Sequence, residues 1–408
     1  MLRRNIEIIN EMKEIKNLKI ALVHDFLTYY GGAERVLEVM TEMFPEAPIY
    51  TLLYDKEKMR DKFRDKTIHT SFLQKFPKFL RKRLKYLLLF LPTAPETFDL
   101  RDFDLVISSS GAWSKGIVTR LNVIHISYIH SPMRFVWDAN EEYLRQQEKG
   151  KAINFFARML SNYIRVWDKV AADRPDYLIA NSKYTRERIK KYYGRESVVI
   201  YPPVQTFTPT LSLNRERGQI ENPLRPSGEG GPALAGPDEG YFLVVSRLSP
   251  YKKIDVVVEA FNKLELPLIV IGEGQQEKYL RSIAGKNVKI IGWQSEEKIR
   301  QYYSGARAFI FAGVDDFGIA PGEAMAYEIP VLAIRKGGAK ETVIEGKTGE
   351  FFDAAIPEVI VDGVRRLMEN EKNYDREFIR ARAREFSKER FKTELTEFIN
   401  GIILNAKF

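Results

Sequence analysis

Two carboxylates flank a glycine-containing loop in the C-terminal half of the sequence. Asp315 and Glu323 are eight positions apart, with Gly318 and Pro321 between them. Glycine lets a backbone approach a ligand closely and proline suits a first helical turn, so the segment predicts a loop that opens a helix. We expect Glu323 in that first turn, where its carboxylate could accept hydrogen bonds from two vicinal hydroxyls. With Asp315 at the other end of the ligand, the pair could hold a sugar and a ribose together, which points to a nucleotide sugar.

Two cations follow an apolar run that begins at Tyr241 and is typical of a buried strand. Arg247 and Lys252 lie in the segment Ser246-Arg247-Leu248-Ser249-Pro250-Tyr251-Lys252-Lys253. At the end of a strand, two fixed cations could neutralise a diphosphate leaving group. Either residue alone is compatible with solvated surface charge. Together with the acidic loop, the pair favours a site for an anionic ligand.

Three weaker signals lie elsewhere in the chain. His130 ends an apolar run, where a neutral imidazole could bond a sugar hydroxyl or serve only the structure. Gly31-Gly32 precedes a helical pattern and could receive a phosphate or sugar through backbone N–H groups. Gly272-Glu273-Gly274 begins like a dinucleotide fingerprint, but no third glycine follows at the right spacing. The sequence therefore argues against a nicotinamide dinucleotide and a dehydrogenase.

The composition narrows the classes of site. The chain has 408 residues, 44% of them apolar, which is enough for two or three domains. The absence of cysteine excludes disulfides and zinc–thiolate sites, and only four histidines argue against a histidine-rich metal site. The first residues lack the apolar run of a signal peptide, and no run of apolar residues is long enough to span a membrane. We therefore expect a cytoplasmic protein.

Strand-like and helical patterns alternate in two series, which predicts parallel sheets covered on both faces. The first series fills residues 1–204 and the second fills residues 241–385, with a Gly/Pro-rich linker or insertion at 205–240. The fold class expected is α/β, with two Rossmann-like doubly wound domains facing across a cleft. Residues 386–408 are expected to form a helix that crosses back to the N-terminal domain, and residues 1–17 a short amphipathic helix.

The positive charge is concentrated in the N-terminal half. The net charge is +9, and residues 1–200 hold 35 Lys and Arg against 25 Asp and Glu. Residues 75–91 interleave six basic side chains with apolar ones, a pattern typical of a segment that binds an anionic membrane surface. A core helix with a solvated basic flank is the alternative. No motif that reads nucleic acids accompanies the charge, so a nucleic-acid partner is not expected. A peripheral location on the inner face of the cell membrane is expected instead.

These motifs together closely resemble the retaining GT-B glycosyltransferases of family 4, and in particular a bacterial mannosyltransferase-like branch. The resemblance covers residues 18–204 and 240–400. Besides the acidic loop, it rests on short motifs, which are Val23-His24-Asp25, Gly31-Gly32-Ala33-Glu34-Arg35, His130-Ser131-Pro132-Met133-Arg134, Ala180-Asn181-Ser182, Tyr201-Pro202-Pro203-Val204, and Arg247 with Lys252.

The resemblance implies a role for each matching residue. Glu323 would hold the ribose and Asp315 the donor sugar, while Arg247 and Lys252 would bind the diphosphate. His130 would contact the sugar. Four further positions would meet the donor through the backbone: Phe317, Gly318 and Ile319 at the sugar or phosphate, and Gly32 near the phosphate. Gly292, in the segment Ile291-Gly292-Trp293, would border the base.

The resemblance also implies an activity. Similar enzymes need no metal for chemistry, so no cofactor is expected. The expected reaction moves a hexose, mannose from GDP-mannose in the first instance, to a saccharide or lipid-linked acceptor. A UDP-hexose donor and a non-catalytic nucleotide-binding module at a membrane are the alternatives. The family usually has glutamate where this chain has Asp315, and the shorter side chain withdraws the carboxylate by about 1.5 Å.

Overall fold

A computed structural model of the chain describes residues 18–59, 62–81, 83–138, 151–205 and 240–406, without side-chain detail at 151–153 and 405–406. The predicted N-terminal helix at 1–17 and nearly all of the predicted linker lie outside the described residues. The described residues form two compact units. The first comprises those up to Pro203 together with those from Glu389 onward, and the second comprises Val204 to Lys388, so the predicted C-terminal helix belongs to the first unit.

The first unit is built on a parallel sheet. Its strands are β1 Ile20–Leu27, β2 Ile49–Tyr54, β3 Ile68–Thr70, β4 Leu105–Ser110, β5 Ile124–Ile129, β6 Tyr177–Ala180 and β7 Val198–Val199. They lie in the order β3-β2-β1-β4-β5-β6-β7, and every neighbouring pair is parallel.

The second unit repeats this plan. Its strands are β8 Tyr241–Val245, β9 Leu268–Ile271, β10 Val288–Gly292, β11 Ala306–Phe311, β12 Val331–Ile334 and β13 Gly349–Phe352. The order is β10-β9-β8-β11-β12-β13, again with parallel neighbours. Two doubly wound parallel sheets confirm the predicted α/β, Rossmann-like class of each half.

Helices connect the strands, because parallel neighbours require a crossover that returns along a face of the sheet. The helices are α1 Gly32–Met43, α2 Lys56–Met59, α3 Lys78–Arg81, α4 Lys151–Ala171, α5 Lys183–Tyr193, α6 Ile254–Leu264, α7 Glu277–Ile283, α8 Glu296–Gly305, α9 Ile319–Ala326, α10 Ala339–Thr342, α11 Pro357–Glu369, α12 Arg376–Arg384 and α13 Lys388–Ala406. No helix of the described residues combines the length and apolarity needed to cross a membrane.

The two faces of the first sheet carry separate cores, since successive strand residues point to opposite sides. Ile20 and Leu22 belong to a cluster that also contains the apolar side chains of α1 and α13. Ala21 and Val23 belong to another cluster, which the segment 72–100 and α4 cover. We call these sides the α13 face and the α4 face.

In each sheet the strand order reverses once, between β1 and β4 in the first unit and between β8 and β11 in the second. At such a reversal the connections leave in opposite directions and open a crevice beyond the carboxyl ends of the strands, where open α/β sheets bind ligands. The residues that follow these four strands are therefore the first to consider as a site.

Candidate functional site

The acidic loop of the second unit follows β11 and leads into α9. The helix begins at Ile319, so its first turn contains no acidic residue and Glu323 is its fifth residue. The prediction that Glu323 lies in the first turn is therefore wrong. Gly318, with φ +80°, turns the chain directly before Ile319 and starts the helix earlier than the proline suggested. Glu323 is nevertheless buried, with 8% of its surface exposed.

Lys252 and Asp315 meet directly. Lys252 Nζ lies 2.5 Å from Asp315 Oδ2, and their side chains are only 14% and 18% exposed. An ion pair at this depth is a strong, charge-assisted hydrogen bond. Any anion that binds Lys252 must share the ammonium group with the Asp315 carboxylate or displace it.

Arg247 joins the same cluster through an aromatic ring. Its Nη2 lies 3.2 Å from the Tyr251 hydroxyl, and Lys252 Nζ lies 5.2 Å from the centre of the Tyr251 ring. Lys252 Nζ also lies 5.8 Å from the centre of the Phe311 ring. Gly318 rests on that second ring, since a Cβ atom there would come within 2.8 Å of Phe311 Cζ. Both cations, Asp315 and the start of α9 thus gather where the strand order reverses.

The glycine pair Gly337-Gly338, which follows β12, packs against the backbone of the acidic loop. Gly338 N donates to Asp315 O at 3.0 Å, and a Cβ atom on Gly338 would lie 2.3 Å from Phe317 Cα. No side chain fits in that space. Phe317 is 2% exposed and its ring packs 5.4 Å from that of Phe386, so a ligand could contact Phe317 only through its backbone.

The glycine segment of the incomplete dinucleotide fingerprint shapes the turn that carries Arg247. A Cβ atom on Gly272, where φ is +141°, would lie 1.8 Å from Ser246 O. Leu248 N donates to Glu273 O at 3.0 Å, which fixes the turn that carries Arg247. Gly272 N in turn donates to the carbonyl of Gly292 at 2.9 Å, which places Gly292 next to this turn at the end of the edge strand β10.

In the first unit, hydrogen bonds link His130 to the start of α1. His130 Nε2 lies 2.8 Å from Ser109 Oγ, and the same hydroxyl lies 3.1 Å from His24 Nδ1. His24 Nε2 lies 3.2 Å from Glu34 Oε1, and Glu34 Oε2 accepts from Gly31 N at 2.8 Å. Gly32 is the first residue of α1. The network spans the carboxyl ends of β1, β4 and β5.

Burial controls the charge of this network. Desolvation, with a smaller contribution from the nearby His24, lowers the pKa of His130 to about 4. His130 is therefore neutral near pH 7, and its imidazole can exchange hydrogen bonds with a sugar hydroxyl without carrying charge. Ser109 was missed by the sequence analysis, and its only signal was a serine run, 108–110, at the end of an apolar strand.

Both carboxylate oxygens of Asp25 accept hydrogen bonds from the backbone of the first unit. Its two oxygens accept backbone N–H groups from four successive residues at 2.6 to 2.9 Å: Gly111, Ala112, Trp113 and Ser114. The carboxylate closes the loop that follows β4 and thereby fixes the end of the strand that carries Ser109. The Val23-His24-Asp25 motif thus combines a network histidine with a carboxylate that shapes the loop beside it.

The buried His125 and the half-buried His130 predict that the stability of the fold falls in acid. Desolvation lowers the pKa of His125 to about 3, and that of His130 is about 4. Both pKa values are depressed, so the unfolded chain takes up protons below about pH 6.5 while the folded chain does not. Each histidine should therefore cost about 3 kcal/mol of unfolding free energy between pH 6.5 and 4.

Urea unfolding at several pH values measures this slope. Carboxylates add a slope of the same sign at the acid end, so the comparison is with a His125→Gln, His130→Gln double variant. The double variant should lose less stability between pH 6.5 and 5, where carboxylates contribute little. Parallel curves for parent and variant would show that neither histidine is responsible.

The ten predicted site residues fall into two groups. Eight lie in the second unit, where Lys252 bonds to Asp315 and the rings of Tyr251 and Phe311 bring Arg247 and Gly318 beside that pair. His130 and Gly32 lie in the first unit and are linked through the side-chain network. Among the described residues, no three His, Asp or Glu side chains lie close enough to hold a metal ion. The metal-free reaction stays a prediction.

Comparison with known proteins identifies the class. A family model described as Glycosyltransferase Family 4 matches residues 30–206, and one described as Glycosyl transferases group 1 matches residues 233–385. An uncharacterised glycosyltransferase of Methanocaldococcus jannaschii is 22% identical, over 91% of this chain and 93% of its own length. A crystal structure of Anabaena HepE in complex with UDP and glucose superposes with a TM-score of 0.66 at 16% identity, covering 94% of this chain and 100% of that one.

Several relatives have a donor in their names. A GDP-mannose-dependent α-(1-6)-phosphatidylinositol monomannoside mannosyltransferase of Mycolicibacterium smegmatis is 27% identical, over 46% of this chain and 51% of its own length. The match therefore spans about half of each protein.

The chain has the GT-B fold and belongs to the family 4 glycosyltransferases. It is a hexosyltransferase, so the dehydrogenase and the non-catalytic module are set aside.

Proposed function

We propose that the protein is a retaining transferase that moves mannose from GDP-mannose to a saccharide or lipid-linked acceptor. The observation that carries the proposal is the gathering of Arg247, Lys252 and Asp315 beyond the carboxyl ends of the neighbouring strands β8 and β11. The proposed donor base and sugar rest on the mannosyltransferase-like motifs and on the relatives whose names include GDP-mannose.

In this proposal the two cations bind the diphosphate. As the bond between the sugar and the diphosphate breaks, negative charge grows on the leaving phosphate, and Arg247 and Lys252 are already placed to stabilise it. The acceptor hydroxyl attacks the anomeric carbon from the face that the diphosphate leaves. A phosphate oxygen takes the hydroxyl proton, so the products are the glycoside and the nucleoside diphosphate.

Other residues orient the donor. Glu323 accepts hydrogen bonds from the ribose hydroxyls, and the backbone N–H groups of Phe317, Gly318 and Ile319 meet the sugar or phosphate at the positive end of α9. Asp315 is assigned to the donor sugar, a role that it combines with its ion pair to Lys252. His130, Gly32 and Gly292 keep the roles that the resemblance gave them, at the sugar, the phosphate and the base.

The ribose contact gives a sharp test. Glu323→Ala removes two charge-assisted hydrogen bonds and should weaken binding of GDP by roughly 10- to 100-fold in calorimetry. The matched control is 2′,3′-dideoxy-GDP, which lacks the hydroxyls that Glu323 would hold. Parent and variant should bind this analogue with similar affinity. An equal loss for both nucleotides would mean that Glu323 shapes the site and does not touch the ribose.

The donor is tested in parallel by measuring transfer and hydrolysis with GDP-mannose, UDP-glucose and UDP-galactose. The proposal expects turnover with GDP-mannose to exceed turnover with either UDP-hexose. Preference for a UDP-hexose would leave the hexosyltransferase and its cation cluster in place and replace the donor with the alternative from the sequence analysis.

A further inference from the structure

Helix α4 exposes a continuous apolar stripe. Six of its large apolar side chains are between 52% and 68% exposed, namely Phe155, Phe156, Met159, Tyr163, Val166 and Val170. Steps of three and four residues separate most of them, which places all six on one sector of the helix. A stripe of this length on a water-facing helix marks a contact surface, because exposed apolar area of this extent is unusual for a monomer.

The stripe is not the core side of α4. The helix packs on the α4 face of the sheet through Leu160, Ile164 and Trp167, which lie on the adjacent sector. The α13 face provides an internal comparison. Among its covering helices, α1 has no large apolar side chain of comparable exposure in the described residues, and α13 has Leu404. The α4 face of the sheet therefore exposes more large apolar side chains than the α13 face does.

More apolar side chains are exposed on the same face. The segment 72–100 contributes Leu87 and Leu91 to the cluster under α4, and it leaves four large apolar side chains exposed: Phe79, Tyr86, Leu89 and Phe90. This segment does not form one helix. It consists of short turns, among them α3, so its exposed side chains stand at several points around the stripe.

The charge around these side chains is predominantly positive, although Lys78 and Lys169 pair with the exposed acids Glu57 and Asp173. Residues 66–95 contain seven Lys and Arg and no Asp or Glu. In residues 154–171 of α4 the basic residues are Arg158, Arg165 and Lys169, and the single acid, Asp168, is buried against Lys115. Apolar side chains framed by cations are the pattern of a helix that lies in the interface of an anionic bilayer.

We propose that the α4 face of the first unit rests on an anionic lipid surface, with the α4 stripe inserted parallel to it. The inference extends the predicted membrane contact of residues 75–91 to a second element, and it does not depend on the identity of the donor. A second copy of the chain fits less well, since a two-fold contact would bring the same cations together. The first unit, which contains His130 and Gly32, would then lie beside lipid-linked acceptors.

Vesicle flotation of the full chain tests the proposal. The protein should float with vesicles of equal parts phosphatidylcholine and phosphatidylglycerol, and far less with phosphatidylcholine alone. The triple variant Phe155→Ser, Phe156→Ser, Met159→Ser should partition about 100-fold more weakly, because three apolar anchors are lost. The matched control is Tyr279→Ser, Ile356→Ser, Phe378→Ser in the second unit, whose side chains are 37% to 48% exposed. It should float like the parent.

A second variant reports insertion itself. In Met159→Trp the new indole should shift its emission to the blue with anionic vesicles and be quenched by brominated lipid. Three outcomes would overturn the proposal: the triple variant floats like the parent, the indole added by Met159→Trp keeps the emission of an exposed ring, or the triple variant only converts a dimer to a monomer in sedimentation experiments. Binding that disappears on deletion of residues 1–17 and persists in the triple variant would also overturn it.

Discussion

Arg247→Ala is expected to lower the turnover of donor by about 100-fold, which corresponds to about 3 kcal/mol of transition-state stabilisation. The position of Arg247 is the reason for this expected loss of turnover. Arg247 follows β8 on a turn that Gly272 and Glu273 hold, and its guanidinium meets Tyr251 beside Lys252. A cation fixed before the reaction needs no reorganisation when charge develops on the leaving diphosphate. Initial rates of transfer at saturating donor measure the effect.

The form of the loss distinguishes chemistry from binding. If Arg247 acts on the transition state, kcat and kcat/KM should fall together, whereas a loss confined to KM would make it a ground-state contact. Arg247→Lys keeps the charge but loses the paired N–H groups, so an intermediate loss is expected. Lys278→Ala, an exposed cation on α7, is the matched control and should keep parental turnover. Parental turnover in Arg247→Ala would remove this residue from the mechanism.

The sequence predicted the architecture well, because alternation of strand and helix patterns is a local signal. Both series became parallel sheets, and the residues at strand ends became the candidate site. Two edge strands, β3 and β13, were not predicted. The first has three residues, and the second begins with a glycine and has four, so neither offers the long apolar run of an inner strand.

The contacts inside the site could not be predicted in the same way. Lys252 and Asp315 are 63 residues apart, and they meet only because β8 and β11 are neighbours, which sequence order does not reveal. The bond between His130 and Ser109 likewise depends on β4 lying beside β5. The predicted position of Glu323 in α9 was wrong by a fraction of a helical turn, since Gly318 and not Pro321 determines where α9 starts.

The largest stability effect is expected at a buried ion pair that the sequence analysis did not single out. Lys115 Nζ lies 2.5 Å from Asp168 Oδ1, and the two side chains are 1% and 0% exposed. Asp168 Oδ2 also accepts from Trp137 Nε1 and from the Tyr193 hydroxyl, each at 2.8 Å. One carboxylate of α4 thus ties together three other segments of the first unit.

Asp168→Ala should lower the unfolding free energy of the first unit by about 3 to 5 kcal/mol, because it leaves the Lys115 ammonium buried without its counter-ion. The matched control is Asp173→Ala, just beyond the end of α4, which removes the exposed pair with Lys169 and should cost less than about 1 kcal/mol. Urea unfolding followed by tryptophan emission suits the test, since Trp137 bonds directly to Asp168.

A double variant separates charge from packing. Removing both charges with Lys115→Met, Asp168→Leu should recover part of the loss, since apolar side chains of similar volume can replace a buried ion pair with little cost. If the double variant is as unstable as Asp168→Ala, the hydrogen bonds from Trp137 and Tyr193 matter more than the stranded ammonium. Equal stability of Asp168→Ala and Asp173→Ala would contradict the prediction outright. Because the Asp168 carboxylate anchors α4, Asp168→Ala should also weaken the vesicle binding that depends on the α4 stripe.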